Sequence, residues 1–218
     1  MAATATWLDC VDDAAAGAPS LALVRPPGHH ATKALGCGTC LFCHAAAAAR
    51  YALTLPGIER VAILDVDAHH GSGTAHNVQD LDAVRFVSVH EFTLRGLRTT
   101  KGDPRGSGKD DEGPLGNIRN VELPKGCSGA TWLEEIEARA LPFLADPGFG
   151  ADLLIVSLGL DTLDDDVASG LTVVPRDYGT LAEMLQARFG SRVAFGLEGG
   201  YDAPSNLEAV REMGSVMA

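Results

Sequence analysis

Carboxylates and imidazoles crowd one stretch of the chain, Asp65-Val66-Asp67-Ala68-His69-His70. It directly follows the apolar run Val61-Ala62-Ile63-Leu64 and precedes Gly71-Ser72-Gly73-Thr74. The run reads as a buried strand. A strand that stops on charge is costly, because unpaired charge is expensive near a core. Either a metal ion or contact with water offsets that cost. Three other apolar runs stop in the same way. Ser20–Val24 leads through Arg25-Pro26-Pro27-Gly28 into His29-His30, Asp152–Gly159 into Leu160-Asp161-Thr162, and Arg192–Leu197 into Glu198-Gly199-Gly200-Tyr201-Asp202. Two Asp and one His suit a divalent ion that keeps open positions, and both zinc and ferrous iron accept that set. Such an ion activates water and polarises a carbonyl. Adjacent histidines on a rigid turn can move protons. A tyrosine hydroxyl held on a Gly-Gly turn can donate to a developing oxyanion. Together these groups describe hydrolysis of an amide or ester.

The elements that must position these residues alternate. Helices are predicted at about 7–16, 45–55, 131–144, 175–189 and 205–217. Strands are predicted at 20–24, from Val61, and at 84–90, 152–159 and 192–197, with a short one at 120–124. Thr131 and Glu134 have the capping-box spacing, and Pro175 suits a first helical turn. Residues 71–74 read as a loop, as do residues 92–120. The alternation predicts an α/β fold with a mostly parallel sheet. Ligands of such sheets bind outside the carboxyl ends of the strands, so His29-His30, Asp67 with His69, Asp161 and Tyr201 would share one edge. We read residues 1–218 as a single domain, with no internal repeat or linker.

Composition narrows the partners. Of 218 residues, 46% are hydrophobic and 21% charged, as in ordinary globular proteins. With 17 Lys and Arg against 29 Asp and Glu, the formal charge is −12. That balance argues against direct nucleic-acid binding and is compatible with cationic substrates such as basic peptides or polyamines. No apolar run approaches the ~20 residues of a spanning helix, and no secretory leader is visible. No membrane association is expected, and the expected location is intracellular, in cytoplasm or nucleus. Five cysteines, three of them clustered, suggest free thiols in a reducing compartment. Cys37-x-x-Cys40-x-x-Cys43-His44 has partial spacing for zinc, iron–sulfur or c-type haem. Its thiols would equally serve as small buried apolar groups.

Taken in order, four motifs resemble those of the histone deacetylase superfamily, most closely the class II deacetylases and acetylpolyamine amidohydrolases. They are Arg25-Pro26-Pro27-Gly28-His29-His30, the stretch Asp65–Thr74, Ser157-Leu158-Gly159-Leu160-Asp161-Thr162, and Leu197-Glu198-Gly199-Gly200-Tyr201. The resemblance implies a three-layer, arginase-like α/β fold with a mostly parallel sheet. It implies a zinc-dependent deacetylase acting on acetyl-lysine of a histone or other protein, or on an acetylated polyamine. It further implies that Asp67, His69 and Asp161 hold Zn2+. His29 and His30 would form the catalytic pair, with Asp65 behind His29 and Ser72 beside His30, and Tyr201 would steady the oxyanion. Gly38, Thr39, His70, Gly159 and Gly200 match substrate-binding positions. Asp65, Asp67, His69, Ser88 and Val89 match a structural K+ site.

The chain departs from that pattern at several points. Ser72 stands where the family has Asp or Asn, so a shorter hydroxyl is expected to orient His30 less firmly. Thr39 replaces an aromatic wall of the acyl-lysine tunnel, while Cys40 falls on a family position. Val167 replaces a Pro after Asp166, and Arg105-Gly106-Ser107-Gly108 is similar to a Pro-Gly-Ser/Thr-Gly segment without its Pro. Most of the family's N-terminal region is expected to be missing, so the chain reads either as a fragment or as a reduced, truncated domain whose exposed apolar face would take a partner subunit. Two other readings use the same residues. One is a deacetylase-like interaction module without turnover. The other is a dimanganese ureohydrolase, for which Gly159 stands where a further carboxylate is needed.

Overall fold

The apolar runs become six strands: β1 Ser20–Ala22, β2 Val61–Asp65, β3 Val84–Glu91, β4 Ile118–Leu123, β5 Leu153–Leu158 and β6 Val193–Leu197. The computed structural model describes residues 2–92 and 113–217. Its sheet runs β1-β6-β5-β2-β3-β4, and every pairing is parallel. From β2 the chain steps outward through β3 to β4, then returns to β5 on the other side of β2. The order therefore reverses between β2 and β5, and a crevice opens beyond their carboxyl ends.

Helices cover both faces. Val61 and Ile63 of β2 join one core with Trp7, Val11 and Ala14 of α1 (Ala2–Ala15) and the buried alanines of α2 (His44–Ala52). Ala62, Leu64 and Val66 join the other core, with Trp132, Tyr178, Leu181, Ala209 and Met213. Successive strand side chains point to opposite faces, so a sheet covered on both sides needs apolar residues at every position. That is why β2 and β5 are buried throughout. Among the described residues no helix is long and apolar enough to cross a membrane.

Three local expectations need correction. The Gly-Ser-Gly-Thr loop is the first turn of a helix, α3 (Ser72–Val78). Its glycines obscure the helical pattern, but tertiary bonds hold it: the amides of Gly73 and Thr74 donate to the His29 carbonyl at 2.8 and 3.0 Å. The predicted helix at 131–144 is α4 (Gly129–Glu135), a π turn (Ile136–Ala140) and α5 (Leu141–Leu144). Pro142 has no amide to continue the ladder, which fits the π turn before it. The helix cap is Ser128, whose Oγ accepts from the Thr131 amide at 3.3 Å, rather than Thr131. The last helices are α6 (Pro175–Phe189), at the predicted position, and α7 (Ala203–Met217). Most of the expected loop at 92–120, with Arg105–Gly108, lies outside the described residues, and its end is strand β4.

Candidate metal centre and active site

The crevice between β2 and β5 holds the charged strand ends. Asp67 and His69 follow β2, Asp161 follows β5, and one donor atom of each lies within 4.8 Å of the others. His69 Nδ1 is 3.0 Å from Asp67 Oδ1 and 2.9 Å from Asp161 Oδ2. Backbone amides fix the opposite carboxylate oxygens. Gly199 N donates to Asp67 Oδ2 at 2.8 Å, and Ala68 N donates to Asp161 Oδ1 at 2.9 Å. Each carboxylate thus keeps one oxygen aimed at the same imidazole nitrogen. Close backbone approach makes this geometry possible. A Cβ at Gly159 would overlap Asp67 Cα, and one at Gly199 would sit 2.6 Å from oxygens of both Asp67 and Asp161.

The electrostatics match that crowding. Burial pushes the Asp161 carboxyl up to about 6, and neighbouring Asp67 adds to the rise. Burial would also lift Asp67, but His29 and His69 overcome it and hold Asp67 well below the usual carboxylate range. Burial works against a charged His69, yet hydrogen bonds to Asp161 and Asp67 raise it to about 10. Two buried carboxylates converging on one imidazole need positive charge between them. The donors, two oxygens and one nitrogen, are those zinc takes in an open site, so the residues fit a divalent ion.

His29 lies beside this group. Its Nδ1 is 3.0 Å from Asp65 Oδ2, and its Nε2 is 3.7 Å from Asp67 Oδ1. Burial opposes a charged His29, but Asp67 and Asp65 raise its pKa well above the ordinary value. The His30 ring packs 4.0 Å from that of His29 and meets His69 edge-on at 6.0 Å. Gly38 closes on the other side, where an added Cβ would lie 2.5 Å from His30 Cδ2. Ser72 is buried at the start of α3, and the next residue, Gly73, packs directly on the backbone of His30 and Ala31. Tyr201 follows the Gly199-Gly200 turn with 58% of its surface exposed. Burial, then Asp67 and Asp161, raise its phenol, so it stays protonated at neutral pH.

The five expected substrate positions divide. Gly38 and Thr39 are exposed, and Thr39 sits at φ 66°, a strained setting for a β-branched residue. Gly200 turns the chain into Tyr201. Gly159 is buried behind Asp67, and His70 has no exposed surface, its ring 4.8 Å from that of His90. Of the expected potassium positions, Ser88 pairs with Asp65 in the sheet, and its Oγ accepts from Gly71 N at 3.2 Å. The cysteines form no cluster with the metal donors among the described residues. Cys37 and Cys40 face each other across a two-residue hairpin. Cys43 Sγ meets Thr74 Oγ1 at 3.3 Å. Burial pushes the Cys40 thiol up to about 11 and the Cys43 thiol up to about 12, so both are inert thiols.

The histone deacetylase domain model matches residues 1–217. The chain belongs to the histone deacetylase family. Acetylpolyamine amidohydrolase 2 of Pseudomonas aeruginosa is 37% identical over 198 residues, covering 88% of this chain and 52% of that protein. Histone deacetylase HDA1 of Saccharomyces cerevisiae is 36% identical over 198 residues, covering 88% of this chain and 27% of that protein. The crystal structure of the HDA15 HD domain superposes with a TM-score of 0.88 at 29% identity, covering 99% of this chain and 60% of that one. The chain therefore spans less than two thirds of each of these deacetylase-family relatives.

Three structural supports escaped sequence reasoning. Glu198 is buried, and its Oε2 accepts from the amides of Gly28 at 2.6 Å and His29 at 3.1 Å. Its Oε1 accepts from Ser157 Oγ at 3.1 Å. A carboxylate ending a buried strand was the available signal, as at Asp65. Asp166 Oδ2 accepts from the amides of Tyr201 at 2.5 Å and Asp202 at 3.1 Å. It was hidden in an acidic run whose other members, Asp164 and Asp165, are exposed. Tyr178 of α6 is fully buried, and its hydroxyl donates to the Gly159 carbonyl at 2.6 Å.

Proposed function

We propose that this chain is a zinc-dependent deacetylase that hydrolyses the amide of an acetylated lysine or an acetylated polyamine. The observation that carries this reading is the convergence of Asp67, His69 and Asp161 beside a histidine already paired with a buried carboxylate. Those three residues would hold the zinc, which when bound activates water and polarises the amide carbonyl. Asp65 accepts the Nδ1 proton of His29 and leaves Nε2 facing the cluster. With the charge of Asp67 taken up in holding the ion, the raised His29 would return to the neutral ring a base needs, and Asp65 would then stabilise the imidazolium formed when His29 takes a proton from water. His30, half-buried against His29, hands a proton to the departing amine. The protonated Tyr201 phenol donates to the oxyanion. Gly38, Thr39 and Gly200 border the acyl chain, and His70 and Gly159 back the site from within. The polar layer below, with Asp65, Asp67, His69, Ser88 and Val89, would hold a potassium ion.

The net charge of −12 favours a cationic acceptor, which both a lysine-rich peptide and a polyamine provide. The test is zinc quantification with turnover of acetyl-lysine peptides and acetylpolyamines. One zinc per chain with turnover of either class is the expected result. A zinc-loaded chain that binds these amides without turnover would point to the interaction module. Two manganese ions per chain would point to the ureohydrolase.

A further inference from the structure

Arg25 opens the Arg-Pro-Pro-Gly-His-His motif and takes no part in the chemistry above. It stands three residues beyond β1, whose register with β6 pairs Ala22 with Gly196. From there its guanidinium reaches the turn that follows β6. It donates through one amino group to the Glu198 carbonyl, and through the other to the Gly200 carbonyl at 2.5 Å. The same guanidinium lies 5.6 Å from the centre of the Tyr201 ring.

This turn needs outside support. Gly200 adopts φ 117°, a region that suits glycine, and two successive glycines leave the backbone soft. Asp166 restrains the turn through the amides of Tyr201 and Asp202. Arg25 takes the carbonyls on the other side. A cation on the carbonyls and an anion on the amides fix both polar faces of one short turn. Only a planar fork reaches two carbonyls while it lies against an aromatic ring; a lysine supplies a point charge.

We propose that Arg25 is a positioning residue that sets the place of the Tyr201 phenol, through two carbonyls of its turn and the face of its ring. The inference rests on the oxyanion role given to Tyr201 above. It also makes a claim about the backbone that does not depend on turnover.

The experiment uses the full zinc-loaded chain with R25A, R25K, Y201F and R25A/Y201F. Hydrogen exchange across residues 199–202 reads the turn directly. It should quicken in R25A while exchange in β2 and β5 stays as in the wild type. R25K should show the same change more weakly, and it serves where R25A folds poorly. In steady-state kinetics R25A should lower kcat by about 10- to 100-fold at unchanged zinc content. In the Y201F background the same substitution should cost little more, because the group it positions is gone. Unchanged exchange in R25A would overturn the proposal, as would an equal kcat loss in both backgrounds. A wild type without turnover would sink the deacetylase reading, and exchange alone would then decide the role of Arg25.

Discussion

At the floor of the site, Asp65, Asp67, Asp161 and Glu198 are buried, and each accepts a hydrogen bond from at least one backbone amide. At the rim, Thr39 and Tyr201 stand exposed on short turns. The floor gathers residues from four chain segments that hold one another. Gly199 after β6 steadies Asp67 after β2, Ala68 steadies Asp161, and Glu198 steadies His29. A change at the floor therefore spreads to several groups. A change at the rim reaches only its own turn and whatever substrate touches it.

The sharpest way to break this contrast is Asp161→Asn. It removes a charged donor while keeping the size of the side chain. Zinc affinity should fall by at least ~100-fold, since even partners outside the coordination shell are worth 10- to 100-fold. Turnover should fall with it. Competition with a chelator measures the first and a deacetylation assay the second. Wild-type zinc affinity in this variant would remove the metal centre from the floor.

Tyr201→Phe probes the rim on the same scale of chemistry without touching the metal. Loss of one oxyanion donor should reduce kcat by ~10²–10³-fold, with zinc affinity and the unfolding midpoint unchanged. If zinc were lost as well, the rim would be coupled to the floor more tightly than its exposure suggests.

His44 supports the floor from behind. It is buried, its Nδ1 meets Thr4 Oγ1 at 3.0 Å, and its Nε2 meets the Pro26 carbonyl at 3.2 Å. That pattern suits a neutral ring donating from Nε2. Burial lowers its pKa from the ordinary 6.5, so as pH falls the unfolded chain binds a proton before the folded one. Its contribution to stability is complete above that ordinary value and is lost as pH falls through the lowered folded value. His44→Gln should therefore flatten the acid side of the stability profile, read as urea midpoints across that range. A profile as steep as the wild type would assign the acid sensitivity elsewhere.

The floor was more legible in the sequence than the rim, and the reason is physical. Buried parallel strands need continuous apolar runs, so polar residues at the ends of β1, β2, β5 and β6 stand out sharply. Asp67, His69, Asp161 and His29 were therefore picked out from residue type and strand end alone. Their bonding partners were harder to see. Glu198 followed the same rule but was absorbed into a motif, and Asp166 was masked by acidic neighbours that face water. Helix α3 was missed because glycines hide its helical pattern, while the bonds from its first turn to the His29 carbonyl are tertiary and leave no local signal. At the rim, turn geometry carries the information. The positive φ at Thr39 has no signal in a Gly-Thr pair, and the reach of Arg25 to a distant turn has none in periodicity.

Thr39→Gly is the mildest test and bears on the rim alone. At φ 66° a side chain meets its own backbone, a cost of about 1–2 kcal/mol for an L-residue. Glycine removes it but gives back roughly 0.5–1 kcal/mol through the greater freedom of the unfolded chain. The net gain should be about 0.5 kcal/mol, readable as a small rise in the urea midpoint. Because Thr39 is exposed and its hairpin meets His30 through Gly38, zinc affinity should not change. If stability rose while kcat fell, Thr39 would be holding Gly38 against His30 under strain. The rim would then take part in placing the second histidine, whose ring lies between the Gly38 hairpin and the buried His29.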